Sequence, residues 1–217
     1  MPTSVADVTV FELLTRQQEY KNMNGAESLV RTMAASGIDV CFANPGTSEM
    51  HFVAALDRLD LIRCVLALQE NVATGAADAY ARMTGQPAAT LLHLGPGFGN
   101  GLANVHNAKK ARAPMVNVVG EHATYHIEYD APLTSDIQGI VGPVSDFVVT
   151  TNSPDDVGND TAATVAAAKS WPGKIATLIL PANSAWDTTE KVGRPQQPAG
   201  PEPVPRPDAR AAALSRF

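Results

Sequence analysis

Glu70 is the residue whose type and place in the chain are most suggestive of chemistry. It follows an apolar run at 65–69 and opens an alanine-rich segment of helical composition at 71–82. A carboxylate at a strand-to-helix junction lies at the carboxyl edge of an α/β sheet, where ligands usually bind. One class of cofactor needs a single buried carboxylate at such a place. Position alone favours the simpler interpretation that Glu70 complements the positive end of the helix dipole.

Two further segments at predicted strand ends carry chemically useful residues. In segment 44–49, Pro45 and Gly46 form a tight turn, and the polar residues after them suit a helix cap, with Ser48 as the capping residue. In segment 93–101, His93 ends a strand, and four glycines allow the backbone to approach a ligand closely. The following helix would present its N-terminus to an anion. The segment is not a P-loop, because no Gly-Lys-Ser/Thr follows it.

The glycine-rich segment also leaves a nicotinamide-binding domain open as an alternative. With Gly97 and Gly99 as the first pair of the dinucleotide fingerprint, the third glycine position holds Leu102. Glu121, however, ends the next strand, about where an acid that binds the ribose would lie. The residues alone leave both interpretations open.

The other histidines give weaker indications of a site. His122 and His126 are spaced like one helix face beside Glu121 and Glu128, but the surrounding residues 124–132 are typical of an irregular segment. We therefore predict no metal site in this chain. Nucleophilic hydrolysis has no support, because the sequence lacks a Gly-x-Ser-x-Gly elbow and a Cys-His constellation.

The composition fits one large or two small domains, since the chain has 217 residues and a net charge of -6. Nucleic-acid and anionic-membrane partners need clustered Lys and Arg, so we expect neither partner. Cys41 and Cys64 lie in apolar runs and are expected to be small buried hydrophobic residues. Without a secretory signal or an apolar run of about 18 residues, the expected location is cytoplasmic.

Predicted strands and helices alternate through most of the chain. The short links between them imply an α/β fold with a mostly parallel sheet covered by helices on both faces. Gly85 is expected to end the helix that follows Glu70, and Ser153 to cap a helix with proline at its first position. The predicted strands are 38–42, 62–68, 89–94, 114–119, 147–150 and 174–180, and the predicted helices are 26–35, 48–59, 71–83, 101–111 and 154–169.

Both ends of the chain differ from this alternating part. Residues 1–22 are expected to form an N-terminal extension with an amphipathic piece at 10–14, and residues 23–190 the α/β domain. Residues 191–217 contain six prolines within 193–207, which is typical of a semi-rigid extended linker. A helical pattern at 208–214 follows, and we expect a missing central domain to begin there.

Three sequence motifs occur in this chain in the same order as in one family of enzymes. They are segment 42–49, segment 66–70 with 77–82, and segment 92–97 with 99–100 and 103–104. Together they resemble the pyrimidine-binding domain of the thiamine diphosphate-dependent enzymes, over roughly residues 24–187. Within that family the motifs look like those of benzoylformate decarboxylase and of the large subunit of acetolactate synthase.

The resemblance implies a three-layer α/β domain with six parallel strands, in a homodimer or homotetramer. The cofactor then lies between this domain and the diphosphate-binding domain of a neighbouring subunit, and the substrate is a small 2-oxo acid. Glu70 matches the glutamate that hydrogen-bonds N1′ of the aminopyrimidine and so promotes removal of the proton from C2 of the thiazolium. His93 matches a histidine that relays protons, and Thr47 stands where the decarboxylase has a serine. The further residues expected to bind the cofactor are Pro45, Gly46, Gly95, Gly97 and Asn100.

The same family holds Mg²⁺ and the diphosphate with a Gly-Asp-Gly motif that has no match in this sequence. We therefore expect a truncated chain or one half of a split decarboxylase, without activity by itself. A regulatory homologue is disfavoured because Glu70 is retained. The choice between decarboxylase and carboligase stays open, because His93 resembles the former and the segment 95–97 resembles acetolactate synthase.

Overall fold

The computed structural model describes residues 22–201 of the chain. The amphipathic piece predicted at 10–14 and the helix start predicted at 208–214 lie outside these residues. Residues 191–201 form neither a helix nor a strand. In this stretch the Ala199 carbonyl accepts a hydrogen bond of 2.9 Å from the Trp171 N–H, so the proline-rich segment contacts the domain.

Six strands form one sheet in which every neighbouring pair is parallel, which confirms the predicted α/β fold class. The strands are β1 (Val40–Asn44), β2 (Arg63–Leu66), β3 (Ala88–Leu92), β4 (Met115–Glu121), β5 (Phe147–Thr150) and β6 (Ile175–Pro181). Their order across the sheet is β2-β1-β3-β4-β6-β5. Because all strands run in the same direction, their carboxyl ends lie along one edge, where ligands bind in such sheets.

Helices cover both faces of the sheet and complete the predicted three layers. Within residues 22–201 they are α1 (Gly25–Ala35), α2 (Met50–Leu59), α3 (Glu70–Thr84), α4 (Leu94–Ala111), α5 (Ile137–Val141), α6 (Val157–Lys169) and α7 (Ala182–Trp186). Helix α1 packs against α2, α6 and α7, whereas α4 packs against α3 and α5. No helix in the part of the chain that the structure describes is long and apolar enough to cross a membrane.

The sheet separates two hydrophobic cores, because successive side chains of a strand point to opposite faces. Leu91 and Leu178 belong to the core that includes α1, and their neighbours Leu92 and Ile179 belong to the core that includes α4. All four are at most 2% exposed. Burial on both faces is typical of the strands of an all-parallel sheet.

A row of polar side chains crosses the middle of the sheet. Thr90, Asn117 and Thr177 are register partners on β3, β4 and β6, and all three are fully buried. The Thr90 hydroxyl donates to Asn117 Oδ1 at 2.7 Å, and Asn117 Nδ2 donates to Thr177 Oγ1 at 3.4 Å. The Ser145 hydroxyl lies 2.8 Å from Thr177 Oγ1. These hydrogen bonds give each buried polar side chain a partner, without which its burial would destabilise the fold. They also favour the observed alignment of β3, β4 and β6.

Two of the predicted helix caps are wrong. The helix predicted from Ser48 begins at Met50, after a 3-10 turn at Thr47–Glu49, and no side chain caps it. The helix predicted at 154–169 begins at Val157. There the Ser153 hydroxyl donates to the Asp156 carboxylate at 2.6 Å instead of accepting from a backbone N–H, so residues 154–156 stay outside the helix. The predicted end of α3 is confirmed, since Gly85 caps it with φ of 72°.

The structure differs from the sequence-based predictions in three further places, and packing between distant segments explains the differences. The helix predicted from Gly101 begins at Leu94, so the predicted glycine-rich loop is helical. The five-residue helices α5 and α7 have no prediction that matches them. Cys41 is buried as expected, but Cys64 is exposed because β2 is an edge strand of the sheet.

Candidate functional site

The carboxyl ends of three neighbouring strands bring several predicted site residues together. Gly46 follows β1, Glu70 follows β2, and His93 follows β3. A side chain at Gly46 would collide with the His93 ring. A Cβ atom at Gly97 would lie 3.2 Å from Glu70 Oε1 and 3.4 Å from His93 Cβ. Gly46, Glu70, His93 and Gly97 therefore lie close together at this edge.

Glu70 is the first residue of α3, but it does not cap the helix. The Gln69 side chain is the cap, and its Oε1 accepts from the Asn71 N–H at 2.8 Å. The Glu70 side chain turns towards α4, where Asn100 Nδ2 donates to Glu70 Oε2 at 3.1 Å. Glu70 is only 9% exposed. Glu70 thus lies in the first turn of α3, as the helix-dipole interpretation requires, and its carboxylate also contacts α4.

The glycines of segment 95–101 bring α4 close to its neighbours. The Thr74 hydroxyl of α3 donates to the Gly101 carbonyl at 3.0 Å, and a Cβ at Gly101 would come within 2.7 Å of Thr74 Cγ2. A side chain at Gly95 would collide with Ser135. Because these residues are helical, segment 95–101 provides no glycine-rich phosphate turn. The structural basis of the nicotinamide alternative is thereby removed.

His93 forms a pair with Glu49, a residue whose place in the sequence indicates only part of a helix cap. His93 Nδ1 lies 2.8 Å from Glu49 Oε2. The Glu49 side chain is 1% exposed and that of His93 is 22% exposed, so the carboxylate lies beneath the imidazole ring. A carboxylate in this position orients the ring and determines which nitrogen carries the proton.

The Glu49 side chain is buried in a tightly packed place. Burial raises the pKa of its carboxyl group, and the hydrogen bond from the Gly46 N–H and the contact with His93 oppose that rise. The Gly46 N–H donates to Glu49 Oε2 at 2.7 Å. A side chain at Gly120 would collide with the Glu49 carboxylate, whose Oε1 has no hydrogen-bond partner among the described residues. Gly120 at the end of β4 therefore makes room for Glu49.

Thr47 lies on the other side of the Pro45–Gly46 turn and is exposed. It lines a cavity together with residues that follow β4 and β6, among them His122 and Trp186. Thr47 therefore lies beside the His93 pair, but on the face of the sheet that carries α7 rather than α4.

His122 and His126, the histidines considered for a metal, lie after β4 and contact each other. The rings of His122 and His126 have centroids 5.6 Å apart in an edge-to-face arrangement. Within residues 22–201, no group of three or more His, Cys, Asp or Glu side chains is placed to hold a metal ion. Glu121 accepts a hydrogen bond of 2.7 Å from the His122 N–H, and burial raises its pKa.

Comparison with known proteins identifies the family of this chain. Residues 23–142 match the family model described as thiamine pyrophosphate enzyme, N-terminal TPP binding domain. The chain is 63% identical over 164 residues to a Mycobacterium tuberculosis (strain ATCC 25618 / H37Rv) protein provisionally named acetolactate synthase large subunit IlvX. That alignment covers 76% of this chain and 32% of the relative.

Two further relatives are also acetolactate synthase subunits by name. Acetolactate synthase large subunit IlvG of the same organism is 28% identical over 200 residues, which covers 89% of this chain and 36% of IlvG. Acetolactate synthase isozyme 3 large subunit of Escherichia coli (strain K12) is 34% identical over 122 residues, 56% of this chain and 21% of that protein. The chain thus spans about a third of the length of IlvX and IlvG. Because the family model matches more than half of the chain, the chain belongs to the thiamine pyrophosphate enzymes and contains their N-terminal TPP binding domain.

Proposed function

We propose that this chain supplies the pyrimidine-binding part of the cofactor site in a thiamine diphosphate-dependent enzyme that acts on a small 2-oxo acid. The observation that carries the proposal is the buried Glu70 carboxylate, which Asn100 holds and which faces Gly97. Decarboxylation of a 2-oxo acid is the step that decarboxylases and acetolactate synthases share, and we assign that step to the complete enzyme.

The residues around Glu70 fit an aminopyrimidine ring. An ionised carboxylate can accept a hydrogen bond from a ring N–H, and a protonated carboxyl group can donate one to a ring nitrogen. The Asn100 amide occupies Oε2 and so leaves Oε1 on the side of Gly97. Since a Cβ at position 97 would lie 3.2 Å from Oε1, glycine leaves space for a flat ring beside the carboxyl group. The glycine and the amide together suit a planar heterocycle with one exchangeable proton.

In this proposal the bound cofactor supplies an electron sink for the carbonyl carbon of the substrate. Glu70 holds a proton at Oε1 and exchanges it with the pyrimidine nitrogen. His93, oriented by Glu49, holds or accepts a proton through Nε2, because Nδ1 faces the Glu49 carboxylate. We assign to the Thr47 hydroxyl a hydrogen bond to the substrate. Pro45 and Gly46 fix the turn that separates Thr47 from His93.

A neighbouring subunit completes the site in this proposal and holds the diphosphate and Mg²⁺. The surface beside the site suits such an assembly, because Leu68, Val72 and Met83 are 90%, 58% and 87% exposed. Val72 and Met83 lie on one face of α3, since eleven residues make about three helical turns. Exposed apolar surfaces of this kind mark protein interfaces. We propose a homodimer or homotetramer formed through this face.

The test is a titration of the ¹⁵N-labelled chain with thiamine diphosphate and Mg²⁺, followed by amide resonances. We expect shifts at Glu70, Gly97 and Asn100, and no such shifts with NAD⁺. Glu70→Gln removes a hydrogen bond to a charged group, which contributes about 1.5–3 kcal/mol. Binding should therefore weaken roughly tenfold to hundredfold.

Glu190→Gln is the matched control, because Glu190 is exposed and lies outside the site. It should bind thiamine diphosphate like the unmodified chain. Equal affinity of the Glu70→Gln and Glu190→Gln variants, or shifts confined to residues away from Glu70, would show that Glu70 does not bind the pyrimidine.

A further inference from the structure

The two cysteines of the chain are direct neighbours across two strands of the sheet. Cys41 lies on β1 and Cys64 on β2, and they are register partners in the parallel pairing of these strands. Neighbouring strands lie about 4.8 Å apart, so the Cα atoms of such partners are separated by about that distance. A disulfide joins cysteines whose Cα atoms are about 4.4–6.8 Å apart. The spacing of the backbones therefore suits a disulfide.

Both thiols lie on the same face of the sheet. Side chains alternate between the two faces along a strand. Phe42 and Val65, the register partners that follow the cysteines, both pack against the core that includes α4. Cys41 belongs to the core that includes α1, and Cys64 points to that side as well. Burial raises the pKa of Cys41, and Cys64 is close enough to raise it further.

The two thiols differ in their access to solvent. Cys41 is 0% exposed, whereas Cys64 is exposed because β2 is an edge strand. A dissolved oxidant can therefore reach Cys64 but not Cys41. Burial of part of the Cys64 side chain raises its pKa, so the thiol form predominates at neutral pH and its oxidation is slow. Oxidation then begins at Cys64, and Cys41 is the thiol next to it.

The position of β2 allows the small movement that a disulfide requires. The Cβ atoms of register partners are also about one strand spacing apart, whereas those of a disulfide lie about 3.8 Å apart. The strands must therefore approach each other by about 1 Å. Strand β2 has four residues and is hydrogen-bonded, within the described sheet, to β1 alone. A disulfide that strains its surroundings in this way is easier to reduce than a relaxed one.

We propose that Cys41 and Cys64 are a reversible modification site, which a peroxide converts into an intramolecular disulfide. The Cys64 thiolate attacks one oxygen of hydrogen peroxide, the O–O bond breaks, and a sulfenic acid and hydroxide form. The Cys41 sulfur then attacks the Cys64 sulfur, the S–O bond breaks, and the oxygen leaves as water. Two thiols thus lose two protons and two electrons, and the peroxide becomes two molecules of water. This inference does not depend on the proposed function.

Mass spectrometry of the full chain provides the test. The reduced chain is treated with hydrogen peroxide and unfolded, and its remaining thiols are blocked with N-ethylmaleimide. Trypsin, which cleaves after Lys and Arg, places Cys41 in peptide 32–58 and Cys64 in peptide 64–82. We expect a monomer that is lighter by two hydrogen atoms and carries no maleimide, and a disulfide-linked pair of these two peptides. Dithiothreitol should restore both thiols, so that each takes up one maleimide.

The linked monomer should exceed a disulfide-linked dimer roughly hundredfold at micromolar protein concentration. Thiols held close together in one chain have an effective concentration of about a millimolar or more, which explains this ratio. The same treatment in urea should form the linkage more slowly, because unfolding separates the strands that hold the thiols together.

Two variants test the order of the steps. Cys64→Ala changes an exposed position and should fold normally, and its Cys41 should stay reduced at the same peroxide concentration. Cys41→Ala removes the second thiol, so the sulfenic acid of Cys64 should accumulate and be trapped by dimedone. The peptide map of the unmodified chain decides the inference even where Cys41→Ala, a change in the core, prevents folding.

Three results would overturn the inference. The first is oxidation of Cys64 to a sulfinic acid while Cys41 still takes up maleimide. The second is a disulfide that joins only two separate chains through Cys64. The third is linkage as fast in urea as in the folded chain, which would show that the pairing of β1 and β2 does not bring the thiols together.

Discussion

Replacing Glu49 by glutamine tests whether the buried carboxylate determines the protonation of the His93 ring. An ionised carboxylate can only accept, so His93 Nδ1, at 2.8 Å from Glu49 Oε2, must carry a proton when Glu49 is ionised. In the neutral imidazole this leaves Nε2 without a proton and able to accept one. Glutamine has the same shape as glutamate but no charge, so the variant keeps the packing against Gly120 and changes only the electrostatics.

The structure sets the expected magnitude. A hydrogen bond to a charged group contributes about 1.5–3 kcal/mol, and a neutral one about 0.5–1.5 kcal/mol. The substitution should therefore weaken the preference for the Nδ1–H tautomer by about 1 kcal/mol, which changes the ratio of the two tautomers roughly fivefold. The 1% exposure of the Glu49 side chain means that solvent screens this interaction little.

Long-range ¹H–¹⁵N correlation spectra of the labelled chain measure the tautomer ratio of His93 directly. The chain has five histidines, and His93→Gln identifies the resonances of the ring in question. Glu190→Gln, at an exposed position, should leave the ratio unchanged. If the tautomer ratio of His93 is the same in Glu49→Gln as in the unmodified chain, Glu49 does not determine which ring nitrogen carries the proton.

The same variant should also change how stability depends on pH. Burial raises the pKa of Glu49 above its ordinary value, so the folded protein binds this proton more tightly than the unfolded chain does. The contribution of this proton to the free energy of unfolding is fully present below the ordinary glutamate pKa. It is lost as the pH rises through the raised pKa of Glu49 in the folded protein. In Glu49→Gln the free energy of unfolding should no longer fall with pH on account of position 49. The similar pH dependence that Glu121 contributes, because burial raises its pKa too, should remain. Urea denaturation across this window, compared with Glu190→Gln, measures the difference.

Two further substitutions test the packing of the site and of the sheet. Gly46 has an extended backbone with φ of -117°, so alanine suits its conformation, but the added methyl group would displace the His93 ring. Gly46→Ala should lower the free energy of unfolding by roughly 1–3 kcal/mol in urea, and an undisturbed His93 tautomer ratio would contradict the close contact. Asn117→Ala removes the acceptor of the buried Thr90 hydroxyl and should lower the free energy of unfolding by roughly 1–3 kcal/mol. The exposed Asn107→Ala is its control, and equal stability of the two variants would show that the polar row is dispensable.

The fold was predictable because each strand is a short apolar run and each helix a longer periodic segment. The strand predicted at 147–150 has the observed bounds, Phe147–Thr150, and the predicted helix end at Gly85 is observed as well. Strands that are buried on both faces consist mostly of apolar residues, so they are easy to recognise in the sequence. Topology then follows, since parallel neighbours require helical crossovers.

The start of α4 was not predictable from local preferences. Glycine disfavours a helix by about 1 kcal/mol per residue relative to alanine, and segment 95–101 contains four glycines. Packing reverses the preference, because the bond from the Thr74 hydroxyl to the Gly101 carbonyl requires a close approach of α3 and α4. A side chain at Gly101 would prevent that approach. Only the neighbouring helix explains why these residues are helical.

The role of Glu49 was hidden for a related reason: its partners come from other parts of the chain. In the sequence, Glu49 is an acid after a Pro-Gly turn, and 44 residues separate it from His93. In the structure three of the candidate site side chains lie against a glycine, namely His93 against Gly46, Glu70 against Gly97, and Glu49 against Gly120. Gly46, Gly97 and Gly120 therefore leave the space that these three side chains from other segments occupy. The sequence shows the glycines, but only the parallel order of β1, β3 and β4 shows which side chain each one accommodates.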